Sequence, residues 1–197
     1  MAGYTPMIEQ YLATKRDYPE EILFFRLGDF YEMFFEDARI ASRELDIVLT
    51  AREGGNKEKI PMCGVPHHAV NNYIARLISK GYRVALCDQV ENPRQSVGIV
   101  KREVTRVITP GTVIDDAMLD ESRNNYLTAI VDQDQVIGLA AVDISTGTFM
   151  VTELKGPDRF ENLDNELQRL APAECLLPAG SSMDSLWQDN FTRLGVL

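Results

Sequence analysis

The apolar residues of the first half of the chain switch between helical and strand spacing. A helical pattern begins at Thr5 and Pro6, because threonine is a favoured N-cap and proline fits the first helical position. Two further helices are predicted at Glu36 to Leu45 and at Val70 to Ile78, the second followed by Gly81 as its C-cap. The strand candidates are Ile22 to Phe25, Ile47 to Leu49, Arg83 to Val90 and Glu103 to Ile108. This half is therefore predicted to be a mixed α/β domain.

Polar and glycine-rich segments separate these elements. The stretch from Arg52 to Lys59 contains a pair of glycines and is predicted to be an exposed loop. We predict an irregular segment from Ile60 to Pro66 and a loop from Pro93 to Gly98.

The second half of the chain is rich in strand-like runs. The Thr109 to Thr112 segment interrupts the pattern, and the acidic stretch from Asp115 to Glu121 is typical of a connection. Strands are predicted at Tyr126 to Val131, Val136 to Asp143 and Thr148 to Glu153, and a helix at about Asp158 to Leu170. We therefore predict an α/β (α+β) chain with one domain at 1–110, a linker at 111–122 and a second domain at 123–197.

Charge divides the chain at the same place. Residues 1–109 contain 15 Lys and Arg against 15 Asp and Glu, whereas residues 110–197 contain 5 against 15, so the whole net charge of −10 lies in the second half. The neutral half can present a basic face to nucleic acid, and the acidic half is better suited to a protein partner.

Composition narrows the class of protein. No run approaches the eighteen or so apolar residues of a membrane span, and the amino terminus lacks a basic and apolar leader, so a cytoplasmic protein is expected. Cys63, Cys87 and Cys175 are odd in number and far apart, which predicts reduced and mostly buried thiols.

One short run combines an aromatic ring and a carboxylate directly after a glycine that ends a strand. It is Gly28-Asp29-Phe30-Tyr31-Glu32. If the run is extended, Phe30 and Glu32 point to the same side. The alternative is that the many aromatic residues nearby belong to the core and that the glutamate faces water.

This run resembles a sequence motif of a known family, and four further runs of this chain resemble the same family in the same order along the sequence. They are Thr5-Pro6-Met7 with Gln10-Tyr11-Leu12, Ile60 to Ala69, Cys87-Asp88-Gln89, and Val107 to Thr112, with Asp143 to Gly147 continuing into the second half. Together they resemble the MutS family of DNA mismatch repair proteins, whose Gly-Asp-Phe-Tyr-Glu run contains the Phe-x-Glu motif that reads mismatches. The resemblance implies a mixed-sheet mismatch-binding domain followed by a partial connector domain of ribonuclease-H-like topology.

In that family the phenylalanine meets the mispaired base, a role that here falls to Phe30. A mispaired base is poorly stacked, so an aromatic wedge from the minor groove costs less there and leaves the duplex kinked. Glu32 is repelled by the phosphates, whose field raises its pKa. Our hypothesis is that Glu32 gains a proton on binding and donates a hydrogen bond to the displaced base, since only the protonated acid is a donor.

Four further residues are candidates for DNA contact. Arg52 and Arg102 stand where the family has basic residues and are candidate phosphate contacts, although both can also be ordinary surface arginines. Leu27 and Met33 flank the motif and are possible groove-lining residues, with burial in the core as the alternative.

An enzymatic alternative rests on Asp143. Asp143 lies at the end of a predicted strand, which resembles the first acidic strand of ribonuclease-H-like nucleases, but Asp132 and Asp134 need not converge with it to hold metal ions. His67 and His68 have no third ligand at a suitable spacing, so no metal site is predicted.

The remaining expectations concern the longer protein that the resemblance implies. The chain contains no Gly-x-x-x-x-Gly-Lys-Ser/Thr run, so it is not expected to hydrolyse ATP. Because the family carries its nucleotide site further along, the resemblance implies a non-enzymatic amino-terminal fragment without a cofactor, cut from a longer protein that is expected to bind ATP and magnesium and to form a homodimer. Besides mismatched DNA, the implied partner is MutL, through the connector domain. The chain is thus also a candidate protein-interaction module.

Overall fold

The chain forms two compact units that meet in sequence between Ile108 and Thr109. Their coordinates come from a computed structural model, which describes residues 3–55, 59–91, 98–115 and 118–179. In these four segments, no helix combines the length and the apolar character needed to cross a membrane. Each unit contains one β-sheet, and the predicted mixed α/β fold class is confirmed.

The first unit is built on a six-stranded mixed sheet. Its elements are α1 (Pro6–Asp17), β1 (Ile22–Leu27), β2 (Phe30–Phe34), α2 (Phe35–Leu45), β3 (Thr50–Glu53), β4 (Lys59–Pro66), α3 (Val70–Ile78), β5 (Val84–Gln89) and β6 (Arg102–Ile108). The strand order is β3-β4-β2-β1-β5-β6, in which β1 and β5 are parallel and the other neighbours antiparallel. Strand β2 therefore lies inside the sheet, between β4 and β1.

Helix α1 covers one face of this sheet. Tyr11 of the helix packs its ring edge-on against Phe25 and Phe34, all three fully buried. Its hydroxyl donates to the buried carboxylate of Asp37 at 2.8 Å, which also accepts from the Lys15 ammonium at 2.9 Å. Because a buried charge is tolerated only when it is paired and hydrogen-bonded, this contact fixes α1 against the start of α2.

Helices α2 and α3 contact strands β2, β4 and β5. Gly81 follows α3 in the left-handed region at a φ of +87°, as the sequence predicts, and its N–H donates to the carbonyl of Ile78 at 2.9 Å. Thr5 precedes α1 as expected, but its side chain makes no capping hydrogen bond.

Two predictions for this unit are wrong. Ile47 to Leu49 is not a strand, because Asp46 turns the chain away from α2 in the left-handed region and leaves Val48 82% exposed. The segment from Ile60 to Pro66, predicted to be irregular, belongs to strand β4, which pairs with β3 in the register Arg52 to Ile60. Of the predicted loop, Arg52 and Glu53 belong to β3 and Lys59 to β4, while residues 56–58 lie outside the described residues. Long-range pairing here outweighs the weak strand propensity of the polar β3 residues. The predicted loop at Pro93 to Gly98 lies, apart from its last residue, outside the described residues.

The described residues of the second unit form a four-stranded sheet of order β10-β7-β8-β9 and the helix α4. Its elements are β7 (Tyr126–Gln133), β8 (Val136–Asp143), β9 (Thr148–Lys155), α4 (Arg159–Leu170) and β10 (Glu174–Leu176). The three predicted strands, β7 to β9, form an antiparallel meander, and α4 packs Leu163, Leu167 and Leu170 against it. Strand β10, which was not predicted from the sequence, pairs with β7 in parallel, the arrangement expected for a ribonuclease-H-like sheet.

The segment that joins the units in sequence packs within the second one. Pro110 and Gly111 are buried, and the N–H of Gly111 donates to the Glu174 carboxylate at 3.0 Å. A Cβ at Gly111 would lie 2.9 Å from the Cβ of Glu174. The chain therefore leaves the first unit two residues before the predicted domain end, while the linker at 111–122 stays a prediction.

Candidate functional site

The candidate site lies at the hairpin that joins β1 to β2. Leu27 pairs with Phe30 across the two-residue turn, and Gly28 has a φ of +61°, a conformation that favours glycine. The N–H of His67 donates to the carbonyl of Asp29 at 2.9 Å and so ties the turn to the end of β4. Phe30 is thereby held at the first position of a paired strand.

The strand β2 is extended, so Phe30, Glu32 and Phe34 share the face of the sheet that α1 covers. Exposure rises along this face toward the turn. Phe34 is fully buried beneath α1, the Glu32 side chain is 17% exposed, and Phe30 is 48% exposed. The aromatic ring and the carboxylate that the sequence singled out therefore stand together at the uncovered end of one face.

Glu32 of β2 forms an ion pair with a residue of β3, and strand β4 lies between these two strands. Its Oε2 atom lies 2.9 Å from Nη1 of Arg52, which extends from the edge strand β3. The intervening strand presents Gly64 opposite Glu32, and a Cβ at that position would lie 3.4 Å from the Glu32 Cγ. The missing side chain thus leaves room for the glutamate to cross β4 and reach the arginine.

The surroundings of Glu32 act in opposite directions on its protonation. Burial raises the pKa of the Glu32 carboxyl above its usual value, and the charge and hydrogen bond of Arg52 oppose this increase without cancelling it. A carboxyl with a raised pKa needs less additional negative potential to gain a proton, and in the protonated form it can donate a hydrogen bond.

A network on the opposite face fixes the residue between Phe30 and Glu32. The Tyr31 hydroxyl donates to the Asp88 carboxylate, which also accepts from the Thr105 hydroxyl. The Tyr31 ring stacks on His67 with centroids 5.6 Å apart, and the guanidinium of Arg26 lies 5.4 Å from the ring centroid. These positioning residues were missed as functional candidates, although Asp88 and His67 belong to two of the runs that carried the resemblance.

Comparison with known families places both units. A family model described as MutS domain I matches residues 5–117, and one described as MutS domain II matches residues 125–195. The chain belongs to the MutS family. The fold and the family predicted from the sequence are both confirmed.

Several curated MutS proteins are close relatives. The DNA mismatch repair protein MutS of Syntrophomonas wolfei is 56% identical over 193 residues, which are 98% of this chain and 22% of that protein. Those of Pelotomaculum thermopropionicum and Desulforamulus reducens are each 58% identical, over 89% and 88% of this chain and 20% of their own length. The chain thus spans about a fifth of the length of the MutS proteins it matches.

Arg102, the second predicted phosphate contact within the MutS domain I match, is much less exposed than Arg52. Arg102 is only 9% exposed, and its guanidinium donates to Gln10 Oε1 at 3.0 Å and to the carbonyls of Arg26 and Val100 while lying over the Phe25 ring. Its hydrogen bonds connect β6 to β1, to α1 and to the residues before β6, so this guanidinium is used inside the unit, which argues against the predicted phosphate contact.

Of the two candidate groove-lining residues, Met33 lies in the core and Leu27 lies on the same face as Phe30. Met33 is fully buried on the face opposite Phe30, because successive strand residues alternate, so its predicted position in a groove is wrong. Leu27 is partly buried on the Phe30 face and stays a prediction.

Asp143, the residue behind the nuclease alternative, caps a turn within the MutS domain II match. Its buried carboxylate accepts from the Ser145 hydroxyl at 2.6 Å and from the N–H groups of Ser145, Asn125 and Thr146 at 3.0, 3.1 and 3.3 Å. Burial alone would raise the pKa of Asp143, but these hydrogen bonds lower it. Within the described segments, no three His, Cys, Asp or Glu side chains are grouped to hold a metal ion.

Proposed function

We propose that this chain recognises mismatched base pairs in double-stranded DNA, with Phe30 as the wedge that enters from the minor groove. The observation that supports this most strongly is the half-exposed ring of Phe30 at the uncovered end of an otherwise buried sheet face. A ring held in a paired strand has little conformational freedom to lose on binding. Stacking against a base contributes about 1–3 kcal/mol and tolerates any base, which suits a detector of many different errors.

Glu32 supplies the second part of the proposed recognition. It lies two residues from Phe30 on the same face, so a base displaced by the ring comes within reach of its carboxyl. The phosphates increase a pKa that burial already raises, and the protonated acid donates to the base. A fully paired duplex offers no displaced base, so the carboxylate meets repulsion there without a compensating hydrogen bond.

The roles of the longer protein are proposals as well. We place ATP and magnesium binding and homodimerisation in the parts of the relatives that this chain does not span. The second unit, whose sequence is strongly acidic, is proposed to contact the repair partner MutL, since excess negative charge disfavours binding along phosphates.

The wedge can be tested with a matched pair of variants in the 197-residue chain. Phe30→Ala removes a half-exposed ring from the candidate site, and Phe149→Ala removes a 67% exposed ring from the second unit. Fluorescence anisotropy at low salt, which strengthens phosphate contacts, measures the affinities for a duplex with one unpaired thymine and for its fully paired counterpart. We expect Phe30→Ala to reduce the preference for the mismatched duplex by about tenfold, within the range of stacking energies, and Phe149→Ala to leave it unchanged.

Two outcomes contradict the proposal. One is a Phe30→Ala variant that keeps the full mismatch preference, and the other is an equal loss in both variants. If the wild-type chain binds both duplexes equally but binds MutL, the second unit carries the measurable activity and the chain acts as a protein-interaction module.

A further inference from the structure

The ion pair between Glu32 and Arg52 joins a mostly buried carboxylate to an exposed guanidinium. The Glu32 side chain is 17% exposed, whereas that of Arg52 is 46% exposed and stands on the edge strand β3. The neighbours opposite Glu32 on β1 and β4 are Phe25 and Gly64, neither of which titrates. Among the described side chains, Arg52 is the one whose charge acts on the Glu32 carboxyl.

Such a pair is easily exchanged for another partner. Partly exposed ion pairs are weak, because water screens them and two long side chains lose freedom. A phosphate is an alternative acceptor for a guanidinium and binds it in a bidentate manner. The half-exposed guanidinium of Arg52 lies 2.9 Å from the Glu32 carboxylate, which is two residues along β2 from Phe30 on the same face. A duplex that approaches Phe30 therefore comes near this guanidinium, although the backbone of Arg52 pairs with Ile60, at the other end of β4 from Phe30.

We propose that Arg52 is a specificity-determining switch partner, which holds Glu32 ionised in the free protein and releases it when the guanidinium moves to a DNA phosphate. This deepens the proposed function and rests on it, because the released carboxyl must then either gain a proton and bind a displaced base or remain unpaired. Only a mismatched duplex offers the first alternative. When the chain binds a fully paired duplex, the ion pair is therefore broken and Glu32 gains no new partner, which disfavours this complex.

A double-mutant cycle distinguishes this exchange from an ordinary phosphate contact. The variants are Arg52→Gln, Glu32→Gln and the double variant, measured by anisotropy on the fully paired and the mismatched duplex. If Arg52 must leave Glu32 to reach the phosphate, its removal costs about three- to fivefold more affinity when residue 32 is already glutamine. The matched control is Arg39→Gln on α2, an exposed arginine paired with Glu36 at 3.1 Å, which should leave the affinities for both duplexes unchanged.

The protonation of Glu32 gives a readout that does not depend on mismatch preference. With ¹³C-labelled glutamate, the Glu32 carboxyl resonance reports its titration midpoint in the DNA-free chain. We expect Arg52→Gln to raise this midpoint, and the fully paired duplex to raise it in the wild-type chain. Arg39→Gln should not change it.

Each outcome decides a separate point. The exchange is overturned if Arg52→Gln lowers the DNA affinity equally whether residue 32 is glutamate or glutamine, or lowers it more when residue 32 is glutamate. It is also overturned if Arg52→Gln leaves the titration midpoint of Glu32 unchanged. If the wild-type chain shows no mismatch preference, the proposed function fails, and the cycle on the fully paired duplex still decides whether Arg52 exchanges its partner.

Discussion

Glu32 in the first unit and Asp143 in the second are both shielded carboxylates on strands, but they are held in different ways. Asp143 accepts four hydrogen bonds, three of them from backbone N–H groups that cannot move away without opening the turn. Glu32 is paired with the side chain of Arg52, which can leave. The first arrangement lowers a pKa and stabilises a fold, whereas the second leaves a carboxyl with a raised pKa available to a ligand.

The aromatic residues of the two units repeat this contrast. Phe149 is more exposed than Phe30, but it lies beside the exposed Val151 on a sheet face of an acidic unit. Phe30 lies at the uncovered end of the face that α1 covers, two residues from an acid that is paired with an arginine. Exposure alone therefore does not identify a base-reading residue, and its neighbours do.

The largest effect is expected at the turn of the second unit. Asp143→Ala leaves several backbone donors without acceptors and should lower the free energy of unfolding by about 2–3 kcal/mol. Urea denaturation followed by amide hydrogen exchange in β8 and β9 measures this loss, with Asp134→Asn in the exposed turn before β8 as the control. A loss below about 0.5 kcal/mol would show that the hydrogen bonds of Asp143 do not stabilise the fold as proposed.

A smaller effect is expected in the network beneath the site. Tyr31→Phe removes the hydroxyl that donates to Asp88 but keeps the stacked ring, so unfolding should become easier by about 1 kcal/mol. If Tyr31 positions Phe30, the preference for a mismatched duplex also falls while the affinity for a fully paired one is kept. Equal losses on both duplexes would show a general loss of folded protein instead.

The two carboxylates should respond to pH with opposite signs. The pKa of folded Asp143 is lowered, so its stabilisation is present above the unfolded pKa of about 3.9 and is lost as the pH falls through the folded value. The pKa of folded Glu32 is raised, so its ionisation costs stability as the pH rises above about 4.3.

Glu32→Gln should therefore be more stable than the wild type at pH 7, by less than about 1 kcal/mol, and equal to it near pH 4. Asp143→Asn should be less stable at pH 7 and approach the wild type as the acid is protonated. Urea denaturation at a series of pH values measures both trends, and two trends of the same sign would contradict the comparison.

The smallest effect is expected at Gly64. An added Cβ would lie 3.3 Å from the Tyr31 carbonyl oxygen and 3.4 Å from the Glu32 Cγ, so Gly64→Ala displaces the glutamate slightly. The lower conformational entropy of unfolded alanine offsets this strain, and stability should change by less than about 0.5 kcal/mol. The titration midpoint of Glu32 should rise as its contact with Arg52 weakens, and an unchanged midpoint would show that the gap at Gly64 does not matter.

The sequence was sufficient to predict the local features of the site. Strand periodicity predicts that Phe30 and Glu32 share a face, and the same rule places Met33 on the other face, which argues against its assignment to a groove. The ion pair with Arg52 was not predictable, because it depends on the pairing of β3 with β4, whose residues read as a loop and an irregular segment. The partners of Arg102 were equally unpredictable, because they include Gln10, which lies 92 residues away in sequence.

The most direct test of the central claim is photocrosslinking of the chain to DNA that contains 5-iodouracil. One duplex carries this base opposite guanine and a second carries it opposite adenine, and mass spectrometry locates the crosslinked residue. We predict a crosslink at Phe30 that forms with the mispaired base and is weak or missing with the paired one. Equal yields at Phe30 on both duplexes, or a mismatch-dependent crosslink confined to the second unit, would contradict the account.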